Sequence, residues 1–267
     1  MKIAVSQLVA TPASLPMADF LQKAKDCGYD GVELCLRPQD DVPLNYRTSD
    51  AELAAFVQQA RELKLDIPSI TISPGKGNLL DSGSEAQDSI DRTLWGLECA
   101  NKLGAGVALH TLGRFNADLY YEDAYNNAVA NLKKIAISAA KLNVTLAVEF
   151  IWNGFLFSPL EMRRFLDEVG SPFVGFYFDP GNMAVFQFPQ HWVRALGKRV
   201  RHVHLKDWQG NALNGKWTPL TEGAVNFPAV MRELRDAGYT GPLVSEVPES
   251  LAPWQDTAAA MRKIAKM

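Results

Sequence analysis

Acidic and imidazole side chains recur at one kind of place in this chain, inside or just past short apolar runs. Glu33 lies in GVELCL, His110 in GVALHT, Glu149 in TLAVEF, Asp179 in GFYFDPGN, His204, Lys206 and Asp207 in RHVHLKD, and Glu246 in LVSEV. Charge placed among apolar residues is costly unless it is partnered. Taken singly, each such residue reads as a salt-bridge or capping partner, and a lone His110 or His202 as a hydrogen-bonded core residue. Their recurrence reads instead as one shared site. Glu149, Asp179, His204 and Glu246 offer carboxylate oxygens and an imidazole nitrogen. Carboxylates crowded into a low-dielectric site would take up protons unless a cation neutralised them. The set suits one divalent metal ion, Mn2+, Mg2+, Co2+ or Zn2+, with coordination positions left for substrate oxygens. Such an ion makes a C–H next to a carbonyl removable, because it stabilises the enediolate that forms.

Residues so far apart in sequence meet only if the fold collects the ends of many elements. The hydrophobic pattern alternates strand-like runs with amphipathic helical runs. Strands are expected at Lys2–Leu8, Gly31–Leu36, Asp66–Ser73, Gly104–Thr111, Val144–Phe150, Val174–Phe178, Val200–Leu205 and Leu243–Val247. Helices are expected at Pro16–Cys27, Asp50–Leu63 with Ser49 as its cap, Glu85–Leu103, Glu122–Leu142, Ser158–Val169, Pro189–Leu196, Phe227–Ala237 and Trp254–Lys266. Strand–helix alternation implies a parallel sheet, and eight units close into an α/β (β/α)8 TIM barrel, a single domain over 1–267. A doubly wound open sheet is the rival, but no GxGxxG follows the first strand. In a barrel the carboxyl ends of the strands share one rim, where the polar residues would gather. Along the fifth strand, Thr145, Ala147 and Glu149 share one face, which suits the crowded interior.

Composition agrees with this architecture and narrows the partners. The chain has 267 residues, 47% of them hydrophobic, and a net charge of −3. Nothing global favours nucleic acid or an anionic membrane surface. No apolar run reaches the roughly 18 residues that span a bilayer. Residues 1–13 read as a first strand rather than a signal peptide. Cys27, Cys35 and Cys99 form no CxxC pair, so a reducing, cytoplasmic setting is expected.

With these residues in view, the chain resembles the sugar phosphate isomerase/epimerase family, the xylose-isomerase-like TIM barrel superfamily. The resemblance spans nearly the whole sequence and rests on GVELCL, VALHTLG, LAVEF, FDPGNM, VHLKDW, PLTEGAVNF and LVSEV in order. It implies that Glu149, Asp179, His204 and Glu246 hold the metal, and that Glu149 and Glu246 also act as the acid/base pair. It places Glu33 and His110 near the substrate. The family's GEG turn is Thr221-Glu222-Gly223 here, a departure at its first position that leaves Glu222 as a substrate contact. The branch resembling endonuclease IV needs further histidines. Asn182 stands where that branch has one, and His110, His191, His202 and His204 are all the histidines present, so DNA cleavage is not expected. Asn182 is counted with the substrate-facing residues.

The expected activity is isomerisation or epimerisation of a ketose, keto-sugar acid or inosose through a cis-enediolate. Glu149 and Glu246, from strands three places apart, would flank the sugar. Trp152, Phe155, Trp208 and Trp217 could wall the site against sugar C–H faces. Lys206 could bind a carboxylate or phosphate, or pair with Asp207 or Glu246. Two other readings stay open: a lyase resembling inosose dehydratase on the same metal site, and a non-catalytic sugar-binding barrel. The partner expected is a small polyhydroxy carbonyl compound, with neither nucleic acid nor membrane; a homo-oligomer is left open.

Overall fold

A computed structural model describes residues 1–73 and 77–267. Eight parallel strands close into a barrel: β1 (Ile3–Ser6), β2 (Gly31–Leu36), β3 (Asp66–Ile72), β4 (Val107–His110), β5 (Thr145–Glu149), β6 (Val174–Phe178), β7 (Val200–Leu205) and β10 (Leu243–Ser245). Going round, the order is β1-β10-β7-β6-β5-β4-β3-β2 and back to β1. Helices α1 (Met17–Asp26), α2 (Asp50–Glu62), α3 (Gly83–Leu103), α4 (Tyr121–Leu142), α5 (Pro159–Val169), α7 (Pro189–Leu196), α8 (Phe227–Asp236) and α9 (Trp254–Ile264) flank it. The (β/α)8 barrel expected from the alternating pattern is present. No described helix is long and apolar enough to cross a membrane.

The strands divide their residues between two environments, as their two-residue period requires. Leu146, Val148, Phe176, Phe178 and Val203 pack with the helices in the large core cluster. Leu109, Ala147 and Tyr177 form a separate small cluster, which is the filling of the barrel itself. Register puts Ser6 beside Glu33 and Glu33 beside Ser69. It also puts Glu149 beside Tyr177 and Tyr177 beside His202. The barrel interior is therefore polar on a scale unusual for a packed core.

Several elements differ from the sequence expectation. The first strand stops at Ser6, not Leu8, because the Ser6 hydroxyl accepts from the Leu8 amide (3.3 Å) and turns Gln7–Val9 into a 3-10 helix. Strand β4 starts only at Val107, since Gly104 caps α3 in a left-handed conformation. Strand β10 ends at Ser245, one residue before Glu246. Two short elements have no counterpart in the expected list. Helix α6 (Pro180–Ala184) follows β6 directly, and an antiparallel hairpin, β8 (Asp207–Gln209) with β9 (Lys216–Thr218), stands after β7.

Candidate metal and active site

The strand ends converge. One donor atom each from Glu149, Asp179, His204 and Glu246 lies within 4.8 Å of all the others. Glu149 is the last residue of β5, and Asp179 follows β6. Asp179 is also the N-cap of α6: its Oδ1 accepts from the amides of Gly181 (2.8 Å) and Asn182 (3.2 Å). That leaves Oδ2 turned toward the cluster. His204 Nδ1 lies 3.5 Å from Glu149 and 3.7 Å from Glu246. His204 Nδ1 is buried with no hydrogen-bond partner, and among the described residues the buried Asp179 Oδ2 is met by the Lys206 ammonium. An unpaired buried polar atom is expensive, and His204 Nδ1 faces carboxylates of the same constellation. A carboxylate–imidazole set with such an unspent atom fits a divalent cation.

The electrostatics carry the same demand for positive charge. Burial pushes the Glu149 carboxyl up to about 7, helped by the charge of Glu246. Burial alone would lower the His204 imidazole, but Glu33 and Glu246 raise it well above its ordinary value. Burial would likewise lower the Lys206 ammonium, and Asp179 and Glu246 more than reverse it. Lys206 Nζ sits 2.9 Å from Asp179 Oδ2 and also pairs with Glu246, while its charge lies over the Trp217 ring.

Other residues singled out from the sequence fall in distinct places. Asn182 donates to Glu149 Oε1 (3.2 Å) and to the Phe150 carbonyl (3.1 Å), so it orients a cluster carboxylate. Trp152 stacks on Trp217 (5.2 Å, 4°) and donates through Nε1 to the Asn182 carbonyl (3.1 Å). It is 43% exposed and stands on the rim, whereas Trp208 is buried edge-on against both rings. Phe155 does not join this wall; it is buried against Phe115 and Tyr121. A cavity of about 240 Å³ beside Lys206, Trp217 and Glu246 is lined by Leu8, Val9, Val247 and Leu251 as well as by Asp207 and Thr218.

Glu33 and Glu222 lie apart from this mouth. Glu33 is wholly buried in the barrel. It accepts from Ser6 (2.8 Å), Ser69 (2.8 Å) and the Tyr177 hydroxyl, and it meets His204 Nε2 at 2.8 Å. These contacts hold its carboxyl down to about 2 although burial opposes them, chiefly through His204. It therefore backs the cluster rather than facing the opening. Glu222 is exposed on the 219–225 turn. What grips that turn is Asp207, which accepts from the amides of Trp208, Thr221, Gly223 and Val225 at 2.9–3.1 Å. A Cβ on Gly223 would fall 2.2 Å from the Asp207 carboxylate, so the turn's last position requires glycine. Thr221, at the departed first position, has φ +75°.

His110 is buried with Nδ1 accepting from the Leu112 amide (2.8 Å), and burial lowers it to about 4. It is thus a neutral ring whose Nε2 carries the proton. Tyr177, Ser6 and Ser69 were not singled out from the sequence. Tyr177 sits in an aromatic run, and only its register beside Glu149 and His202 reveals the inward face.

The family model of the xylose isomerase-like TIM barrel matches residues 21–264. The L-ribulose-5-phosphate 3-epimerase UlaE of Escherichia coli is 26% identical over 257 residues, covering 93% of this chain and 86% of that protein. The crystal structure of D-psicose 3-epimerase with D-tagatose, from Clostridium cellulolyticum, superposes with a TM-score of 0.82 at 14% identity, over 100% of this chain and 98% of that one. The 3-keto-D-glucoside 4-epimerase YcjR of E. coli superposes with a TM-score of 0.78 at 16% identity, over 98% and 99%.

Proposed function

This chain belongs to the xylose isomerase-like TIM barrel family, and from that premise we propose that it is a divalent-metal-dependent epimerase of a small ketose. The observation that carries the reading is the convergence of Glu149, Asp179, His204 and Glu246, with His204 Nδ1 buried and unspent among them. The named epimerase activities of its relatives support it.

Those four side chains would hold the ion. When bound, it supplies Lewis acidity to the substrate carbonyl and a neighbouring hydroxyl. Glu149 and Glu246 are the acid/base pair. They project from β5 and from just beyond β10, with β6 and β7 between them, so a bound sugar lies between two carboxyl groups. One removes the proton from the carbon next to the carbonyl, and the other returns a proton to the opposite face, inverting that centre. Asn182 fixes the Glu149 oxygen, and Lys206 steadies Asp179 and Glu246. Trp152 and Trp217 present an aromatic surface beside the reacting carbon.

The test is incubation of the metal-loaded protein with ketoses in D2O. Deuterium is expected at the epimerised carbon, with both epimers accumulating. Glu246→Gln and Glu149→Gln should each slow this by about 10²–10⁴. No incorporation across pentuloses, hexuloses and their phosphates with Mn2+, Mg2+, Co2+ and Zn2+ would remove the reading. A barrel that only binds sugar would change its affinity in Glu246→Gln and turn nothing over.

A further inference from the structure

A second cavity, about 500 Å³, opens over the carboxyl ends of β3, β4 and β5. Ser73, Gly77, Asn78, Thr111, Arg114 and Asn153 are among its walls, and its edge at Ile151 is two residues past Glu149. It is thus continuous in the chain with the catalytic rim, and its lining is mostly polar. Among the described lining residues Arg114 is the sole cation and Glu85 the sole carboxylate, and the two form no ion pair.

The backbone that presents Arg114 is pinned at every peptide. Leu112 and Gly113 both have positive φ, 69° and 126°. For a buried leucine that conformation is strained and persists only where its surroundings over-determine it. They do so here. The Leu112 amide donates to His110 Nδ1, and its carbonyl accepts from the Leu79 amide (2.9 Å). Asn153 Nδ2 donates to the Gly113 carbonyl (3.1 Å), and Asn78 Nδ2 donates to the Arg114 carbonyl (2.9 Å). A Cβ at Gly113 would lie 2.2 Å from Asn78 Oδ1. On the far side, Phe115 is anchored edge-on against Tyr121 (5.5 Å). The asparagines are spent on this frame, so they are not free to bind a ligand. What the frame delivers is one unpaired guanidinium beside a polar chamber at the same end of the barrel as the carboxylate cluster.

We propose that this chamber takes the end of the substrate remote from the reacting carbon, that this end carries a terminal oxyanion, and that Arg114 recognises it. A guanidinium fork matches phosphate and carboxylate alike. The inference rests on the epimerase reading for the placement of the reacting carbon, but its test does not need turnover. Calorimetry on metal-loaded protein would compare ribitol 5-phosphate, ribonate and ribitol, polyols that lack a carbonyl and cannot react. One of the two anions should bind about ten- to a hundredfold tighter than ribitol. Which anion it is distinguishes a sugar phosphate from a sugar acid. Arg114→Gln should abolish that preference while leaving metal content and ribitol affinity unchanged. In turnover, the same variant should raise KM for the anionic ketose with kcat nearly preserved. Equal binding of all three polyols, or a preference that survives Arg114→Gln, would overturn the proposal. Either result would leave the deuterium-exchange test of the epimerase reading untouched.

Discussion

Glu33 shows how many partners a single buried carboxylate can gather inside the barrel. It meets Nε2 of His204, so a cation bound at Nδ1, which faces Glu149 and Glu246, would leave the ring's remaining proton on Nε2 pointing at Glu33. Ser6, Ser69 and Tyr177 fill its remaining acceptor sites, so the carboxylate cannot rotate. Partners of this kind set the tautomer and basicity of a metal-binding imidazole. Glu33→Gln keeps the shape and loses the charge. We expect it to weaken Mn2+ or Zn2+ binding by about ten- to a hundredfold in calorimetry, with the fold retained by circular dichroism. Unchanged metal affinity would mean that Glu33 serves only to fill the barrel. The sequence made Glu33 conspicuous, because a glutamate in GVELCL demands a partner, but it did not reveal which. Its partners come from β1, β3, β6 and β7, and their shared level depends on barrel register. Glu149, Asp179, His204 and Glu246 were legible because each ends an apolar run that can be read alone.

Elements are legible to the degree that their own residues decide them. Helix α2 announces itself through Ser49 and Glu52, and the structure has the full reciprocal capping box. The β8–β9 hairpin has strands of three residues each and owes its place to Asp207 gathering three amides, those of Thr221, Gly223 and Val225, from a distant turn. Helix α6 is a single turn started by Asp179. Neither has a periodic pattern long enough to read. Closure of the barrel is another contact that only the assembled elements show. Asp30, just before β2, accepts from the Ile3 amide (2.8 Å) and from both terminal nitrogens of Arg262 on α9 (2.6 and 2.8 Å). It therefore ties the first strand to the last helix. Burial raises its carboxyl, but Arg262 outweighs burial and holds it below the usual value of 3.8. A depressed carboxylate contributes stability above its unfolded value, and that contribution fades as pH falls through the folded one. Asp30→Asn should then cost about 1 kcal/mol at neutral pH, discounted for partial exposure. The difference from the parent should begin to shrink as pH falls below 3.8 and disappear only below the depressed folded value. A loss independent of pH in denaturant titrations would point to packing rather than charge.

At the scale of the whole molecule, the barrel concentrates its electrostatic cost at one end. Glu149 and Asp179 are buried and Glu246 is half-buried, and the cation set against them among the described residues is Lys206, paired with Asp179 and Glu246. A cation that binds the folded chain and not the unfolded one stabilises by mass action, about 4 kcal/mol at a thousand times its Kd. For a chain of this size that corresponds to a rise in Tm of roughly 10 °C. Calorimetric scans with EDTA, and then with Mn2+, Co2+ or Zn2+ in excess, should display that rise. Glu246→Gln and Asp179→Asn should lose most of it, since each removes one anionic donor. Glu222→Gln, on the exposed turn, should retain it in full. This measurement asks nothing of the substrate and reads the site through the fold that builds it. A Tm indifferent to chelator and to every divalent ion would mean that the four side chains answer to Lys206 alone. The proposed chemistry would then have no cation to rest on, however closely the barrel resembles its relatives.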